Sequence, residues 1–434
     1  MSAAPSRTRK LLGMLLVILL DLVLLWVAIE VVLRLVLGGG RGPGESELTS
    51  RVAICDIQTE GDRSWINCGD NSGPREVGPK DPEKPRVVIL GGSSMRDPFS
   101  LTDINMSDIL ATQLPDLDIV NLAEPGLPAA GTAWVASQLA PIDPDLVVIY
   151  AGHNDYGQMT FRQRIRGVHL WAMPLELWMS RMWIYRLWAD HVQGTELTWN
   201  GAESWRAGPG LLAKNRGERA RTALDRVCRS IHGQTPIRNS RVVILAIQDD
   251  TALQLREEVS DRFRNDLTQT VRALDAPTVL VTLLRNPAFP PLGVLAEAGG
   301  ECDTTVACYT QPPEGTAATL YEHARQTCGN AAITWWLGAV AASEAGDEQT
   351  ANHAWARALA LDPIPLRAPL EADDIIREVA REEGAVLLDM AEVAGVRPSP
   401  AYFHDNMHLS SEGKTFLAQT LAPVIRNTLA EGSP

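Results

Sequence analysis

The sequence predicts an α/β fold, a three-layer α/β/α sandwich around a parallel sheet, with an apolar N-terminal segment and helical insertions. Three observations lead there. Short β-branched runs recur along the chain, helical patterns lie between most of them, and turn-forming residues follow them. A strand buried on both faces of a parallel sheet reads as a continuous apolar run, and strands alternating with helices read as βαβ units. Right-handed crossovers then bring the C-terminal strand ends to one edge, where such sheets bind ligands.

The expected strands are Arg86–Leu90 (RVVIL), Asp118–Leu122, Leu146–Tyr150 (LVVIY), Arg241–Ile247 (RVVILAI), Thr278–Leu284 (TVLVTLL) and Ala385–Asp389 (AVLLD). Ser93, Asn154 and Asn286 follow strands and so fall on the binding edge. With 434 residues, 45% of them hydrophobic, the chain can bury a large core. Its formal net charge of −14 excludes nucleic acid as an expected partner, because that function needs a basic face.

Residues 11–37 predict a membrane anchor. Leu11 to Ile29 is a nineteen-residue stretch with one charge, Asp21, enough to span ~30 Å of hydrocarbon at about 1.5 Å per residue. The stretch exceeds a signal-peptide core, and no small-residue cleavage site follows it. Glu30 and Arg34 are i,i+4 neighbours near its far end, able to pair or reach the interface. Arg7, Arg9 and Lys10 precede it, so residues 1–10 are expected in the cytoplasm and the rest in the periplasm or outside the cell. Residues 38–85 read as linker and stem, and 86–434 as the α/β domain.

The six cysteines suit an exported, oxidising location. Cys55 and Cys68 close one short loop and Cys302 and Cys308 another, and these are the disulfides expected; Cys228 and Cys328 remain, and six cysteines allow fifteen pairings. No cysteine pair has C-x-x-C spacing, and no His, Glu and Cys cluster has metal-ligand spacing. No phosphate-binding loop is present, so no cofactor or metal is expected.

Two insertions interrupt the domain. Residues 160–215 hold six of the twelve tryptophans, and Trp171, Leu175, Trp178, Met182 and Tyr185 mark one helix face. That face either packs on the core or borders a substrate entrance near lipid. Residues 316–363 carry Leu337-Gly338, Gly346-Asp347, Ala351, Trp355, Ala358 and Leu361-Asp362-Pro363, spacings similar to a tetratricopeptide repeat. No second copy exists, so one helical hairpin packed locally is expected, with a protein partner there as the alternative.

Four short blocks carry the chemistry. Gly91-Gly92-Ser93 follows the first strand, Asn121 to Gly126 the second, and Gly152-His153-Asn154-Asp155 the third; Asp405-Asn406-Met407-His408 lies near the C-terminus. A serine on a glycine-flanked turn at a helix start is an accessible nucleophile, and acyl transfer also needs a base and oxyanion donors. In these blocks, over the whole soluble part, the chain resembles the SGNH (GDSL-type) hydrolases, whose fold is a flavodoxin-like sandwich. The resemblance implies Ser93 as nucleophile and His408 as base, with Asp405 orienting the imidazole. It implies an oxyanion hole of the Ser93 and Gly126 N–H groups and the Asn154 side chain. Gly92 stands where that family usually has Asp. Ser94 is the rival nucleophile, Gly131 the weaker second-block glycine, and His404 the residue most easily mistaken for the base. His153 reads as a wall residue.

The function these residues imply is a membrane-anchored serine esterase that cleaves acylated envelope sugars or lipids through an acyl-serine intermediate. The alternatives are an O-acyltransferase or deacetylase acting on an exported polysaccharide, and a non-catalytic scaffold with the same fold.

Overall fold

The computed structural model describes residues 21, 25–32, 55–61, 63–68, 74–96, 105–160, 246–247, 249–288, 291, 294–295, 317–327, 329, 331–362, 367–404 and 407–432. Five parallel strands form the main sheet: β4 (Arg86–Gly91), β5 (Asp118–Asn121), β6 (Leu146–Tyr150), β8 (Thr278–Val281) and β10 (Val386–Leu388). Their spatial order is β10-β8-β6-β4-β5, all pairs parallel. In chain order this is 2-1-3-4-5, in which the winding direction reverses between β4 and β6. Strands β4 and β6 are buried at every position, as their uninterrupted apolar runs require. Each large side chain among Val87, Val88, Ile89, Leu90 and Leu146 to Ile149 contributes about 1.5–3 kcal/mol by leaving water.

Helices cover both faces. On one side lie α1 (Met106–Gln113) and α10 (Ser411–Gly432), packed on each other, with α10 also against β6 and β10. On the other lie α2 (Ala129–Ala136), α4 (Asp249–Arg272) and α8 (Glu371–Glu383). Helix α2 is buried almost all round, and its small residues Ala129, Ala130, Gly131 and Ala133 let α4 approach closely. Helix α4 presents Val259, Phe263, Leu267 and Val271, one buried apolar residue per turn. Helix α8 buries Ala372, Ile375, Ile376, Val379 and Ala380, and Gly384 ends it in the left-handed region at φ 70°. The hydroxyl of Tyr150 accepts from the Leu284 N–H (2.9 Å), tying the end of β6 to the segment after β8.

Several expectations are corrected. The described part of Arg241–Ile247 is not in the main sheet: Ala246–Ile247 is β7, paired in parallel with β9 (Val294–Leu295) as a separate two-stranded sheet. An apolar run alone cannot say which sheet a strand joins. Thr278–Leu284 is strand only to Val281, because Leu283 and Leu284 turn their N–H groups to Asp373 and Tyr150. Asn286 therefore lies five residues beyond β8, not directly after it. Residues 316–363 contain three helices where a single hairpin was expected: α5 (Ala317–Thr327), α6 (Ala332–Glu344) and α7 (Glu348–Leu361). They share their own core, including Ala324, Trp336, Leu337, Trp355 and Leu359. The ring of Tyr321 on α5 lies against Gly338, where a Cβ would be 3.0 Å away, so the repeat-like glycine serves a third helix. Between them, α3 (His153–Thr160) follows β6.

Residues 55–61, 63–68 and 74–77 pack on the domain. β1 (Asp56–Glu60), β2 (Arg63–Asn67) and β3 (Arg75–Val77) form an antiparallel sheet whose Cys55, Ile66, Cys68 and Val77 join the main core. Gln138 after α2 holds it, accepting from the Ile57 N–H and donating to the Cys55 carbonyl (both 3.0 Å). Cys55 and Cys68 form the expected disulfide across a separation of 13 residues. Replacing both by serine should lower stability by about 2–4 kcal/mol, because a loop of this length constrains the unfolded chain. A shift in melting temperature that dithiothreitol reproduces in the parent, and not in the variant, checks it.

Other expectations lie outside the described residues: Cys228, Cys302, Cys308 and Cys328, the aromatic stripe from Trp171 to Tyr185, and most of 11–37. Residues 25–32 are helical, with Leu25, Val27, Val31 and Val32 exposed. Among the described residues no helix is long and apolar enough to cross a membrane.

Candidate active site

The two halves of the site come from β4 and from the segment before α10. After β4 the chain makes one hydrogen-bonded turn, Met95 N–H to Gly92 O (3.1 Å), with Ser93 at its start. The next described helix, α1, begins only at Met106, so the helix expected directly behind Ser93 is, among the described residues, a single turn. Gly91 has φ 149°, and a Cβ there would meet the Tyr150 carbonyl at 2.2 Å, so β4 and β6 can close on each other only with glycine.

His408 reaches Ser93 from a clasped loop. Phe403 bridges Leu409, the His404 N–H donates to the His408 carbonyl (2.9 Å), and the Ser410 N–H donates to the Tyr402 carbonyl (2.9 Å). This places His408 Nε2 2.7 Å from Ser93 Oγ. An imidazole and a hydroxyl 315 residues apart in sequence, a pair able to act as base and nucleophile, are in direct hydrogen-bond contact. Asp405 lies outside the described residues, so its orienting role stays an expectation. His404 is exposed, and its backbone closes the loop. Ser94, the rival nucleophile, does a different job: its hydroxyl donates to the Met407 carbonyl (3.3 Å), tying the nucleophile turn to the base loop.

The residues expected as oxyanion donors, Gly126 and Asn154, lie in the segments that follow β5 and β6. Asn154 opens α3, and its Nδ2 donates to the Leu127 carbonyl (2.9 Å). An amide nitrogen carries two hydrogens, so one remains for an oxyanion. The amide lies against Gly92, where a Cβ would stand 2.3 Å from Nδ2. Glu124-Pro125-Gly126-Leu127 has the form of a type II turn: Pro second, Gly third at φ 76°, and Leu127 N–H to Glu124 O (3.1 Å). Gly131, the weaker candidate, is buried inside α2 and carries no such turn. His153 is buried, and its Nδ1 accepts from the Ala368 N–H (3.1 Å).

Three residues escaped sequence reasoning. Asn121 donates from Nδ2 to the Met95 carbonyl (3.0 Å) and accepts at Oδ1 from the Ala123 N–H (3.0 Å), joining the loops after β4 and β5. Glu124, buried, takes ion pairs from Arg75 (2.6 Å) and Arg96. Asp155, buried, accepts the Ala129 N–H on both oxygens (3.0 and 3.1 Å), which holds the first residue of α2 beside the Gly126 turn. All three stood inside blocks singled out in the sequence, which gave them no role.

No protein-family model and no curated protein matches the chain. Solved structures of similar shape are acylhydrolases and lipases. They include a candidate acylhydrolase of Bacteroides fragilis, 11% identical over 80% of this chain and 90% of that one, TM-score 0.34. A lipase/acylhydrolase of Enterococcus faecalis (11%, 79% and 96%, TM-score 0.30) and an extracellular lipase of Streptomyces rimosus (13%, 79% and 99%, TM-score 0.29) are also similar. At such scores the likeness carries no argument by itself. The reading of the site rests on its own geometry.

Asp155 gives the site a pH signature. Burial pushes its carboxyl up to about 8, against the lowering effect of the Ala129 N–H, with Asp266 nearby adding to the rise. Burial likewise raises Asp266 to about 7. Both folded values exceed the ordinary aspartate value of 3.8, so the folded state binds more protons than the unfolded state between about pH 4 and 8. Their contribution to stability is therefore present at low pH and lost as pH rises through that window. Asp155→Asn keeps an oxygen for the Ala129 N–H and removes the charge. Its melting temperature should gain on the parent's as pH rises from about 4 to 8, and equal shifts at both ends would discard this account.

Proposed function

We propose that the chain is a serine hydrolase of the SGNH type, anchored in a membrane, that cleaves acyl esters of envelope sugars or lipids on the periplasmic or outer side. The observation that carries this reading is the 2.7 Å contact between Ser93 Oγ and His408 Nε2 at the reversal point of the sheet. With Nδ1 protonated, His408 Nε2 takes the Ser93 proton as Oγ attacks the ester carbonyl. The tetrahedral oxyanion takes the free Asn154 amide hydrogen and the backbone N–H groups of Ser93 and Gly126. The imidazolium then gives its proton to the departing alcohol, leaving acyl-Ser93. Water, activated by the same imidazole, releases the acid and restores the serine. Exposed Leu25, Val27, Val31 and Val32 on a helical segment support the anchor.

Fluorophosphonate labelling of the full-length protein in detergent tests the reading. One equivalent should attach to Ser93, and Ser93→Ala should take none. An unlabelled, well-folded parent would favour the scaffold alternative.

A further inference from the structure

Asn154 is the second residue of α3, and both of its chain neighbours are fastened to other segments. Asp155 on one side holds the first residue of α2 through both carboxylate oxygens (3.0 and 3.1 Å). His153 on the other side is 4% exposed and accepts the Ala368 N–H at Nδ1 (3.1 Å), across 215 residues of sequence. Gly152, just before them, leaves no slack: a Cβ there would lie 2.8 Å from Leu283 Cδ1 and 3.0 Å from Phe263 Cζ.

Ala368 is itself a fixed point. It belongs to residues 367–370, the stretch before α8, which is held from two sides. Arg285, buried, donates to the Ala368 carbonyl and to the Pro369 carbonyl (2.8 Å), and its charge is paired with Asp373 on α8 (2.6 Å). Arg367 donates to the Asn286 carbonyl (3.0 Å), and its guanidinium lies over the Trp355 ring of α7, 4.6 Å from the centroid. Trp355 belongs to the core of the helical insertion. The insertion is therefore joined, through residues 367–368 and His153, to the residue beside Asn154.

We propose that His153 is a positioning residue for ester cleavage: its Nδ1, hooked on the Ala368 N–H, fixes the first turn of α3 and so aims the Asn154 amide at the oxyanion. This rests on the esterase reading, in which Asn154 is the side-chain donor, and it gives the helical insertion a part in that site. Aim matters because a misplacement of about 1 Å at a reacting centre can cost about 10²-fold in rate. The working part of His153 is the acceptor atom, not the ring.

The test separates acceptor from ring in variants of the full-length protein in detergent, with 4-nitrophenyl acetate as substrate. Asn and Leu side chains have nearly the same shape, and Asn Oδ1 falls where His Nδ1 stands. His153→Asn thus keeps an acceptor that His153→Leu lacks, while His153→Phe keeps a ring and loses the acceptor. The Leu and Phe variants should each lose about tenfold in kcat with KM little changed, and His153→Asn should recover most of that, ending within about threefold of the parent. In an Asn154→Ala background the Leu substitution should cost nothing further, because the group that His153 aims is gone. Melting temperatures confirm that each variant is folded, and either the Leu or the Phe protein suffices for the comparison. Equal kcat in the Asn and Leu variants overturns the proposal, and so does a Phe variant as fast as the parent, which would make His153 a space-filler. A Leu loss that persists undiminished without Asn154 overturns it too, since a general loosening of the fold acts that way. Each of these outcomes leaves the esterase reading intact. A parent that cleaves no ester and takes no fluorophosphonate sinks that reading, and this proposal with it.

Discussion

Ser93→Ala should leave ester hydrolysis at the level of a protein without a nucleophile, a loss of about 10⁶-fold in kcat, with the melting temperature nearly unchanged. The hydroxyl is small and stands at the head of a turn whose backbone bond, Met95 N–H to Gly92 O, does not involve it. Removing it deletes the contact with His408 Nε2 and little else. His408→Ala should fall to a similar residual rate, and the double variant should be no slower than either single one, because the pair acts as a unit. Ser94→Ala is the informative control. It breaks only the tie to the Met407 carbonyl, so a partial loss is expected, from a base loop held less firmly. An inactive Ser94→Ala beside an active Ser93→Ala would invert the assignment of nucleophile and tie.

How much of this was legible in the sequence depends on whether the signal was local. β6 could be read at its true ends and β4 to within one residue, because strands buried on both faces need unbroken apolar runs. The Gly-x-Asn-Asp block was legible for the same reason: its geometry is set within a few residues. The partnership of Arg241–Ile247 was not, since pairing is a long-range property and Ala246–Ile247 joins β9 instead of the main sheet. Nor was α5 as the third member of the helical insertion, for the repeat pattern holds only two helices while the core needs Tyr321 and Ala324. Around the site, the missed residues are those that join loops distant in sequence. Asn121 reaches back to Met95, and Glu124 collects Arg75 and Arg96 from two other segments. In sequence these are an ordinary amide and an ordinary acid, and only folding gives them partners.

Gly92→Ala should cost about 10²–10³-fold in kcat with KM little changed, although it adds one methyl group and removes nothing. Gly92 has an ordinary backbone conformation, so strain is not the cause. The cause is contact. A Cβ at Gly92 would lie 2.3 Å from Asn154 Nδ2 and 3.4 Å from its Cγ, so the amide has to leave its place. That amide is held by the Leu127 carbonyl at 2.9 Å, and in the proposed mechanism it is the side-chain donor to the oxyanion. A donor of this kind acts on charge that develops in the transition state, worth ~2.7–4 kcal/mol, which is why the loss falls on kcat. The same geometry explains a departure from the related pattern. An Asp at position 92 brings a Cβ too, so Gly92→Asp should be at least as damaging here, even though it moves the sequence toward the family's usual motif. Asn154→Ala should match Gly92→Ala in size, and the double variant should lose no more than one of them, since both remove a single interaction. Gly126→Ala separates steric displacement from backbone strain. Its Cβ would meet nothing within 4 Å, but its φ of 76° disfavours any side chain, so its cost should appear in melting temperature as well as rate. Full additivity of Gly92→Ala and Asn154→Ala would mean that the methyl group acts elsewhere, and the assignment of Asn154 as oxyanion donor would then lose its structural basis.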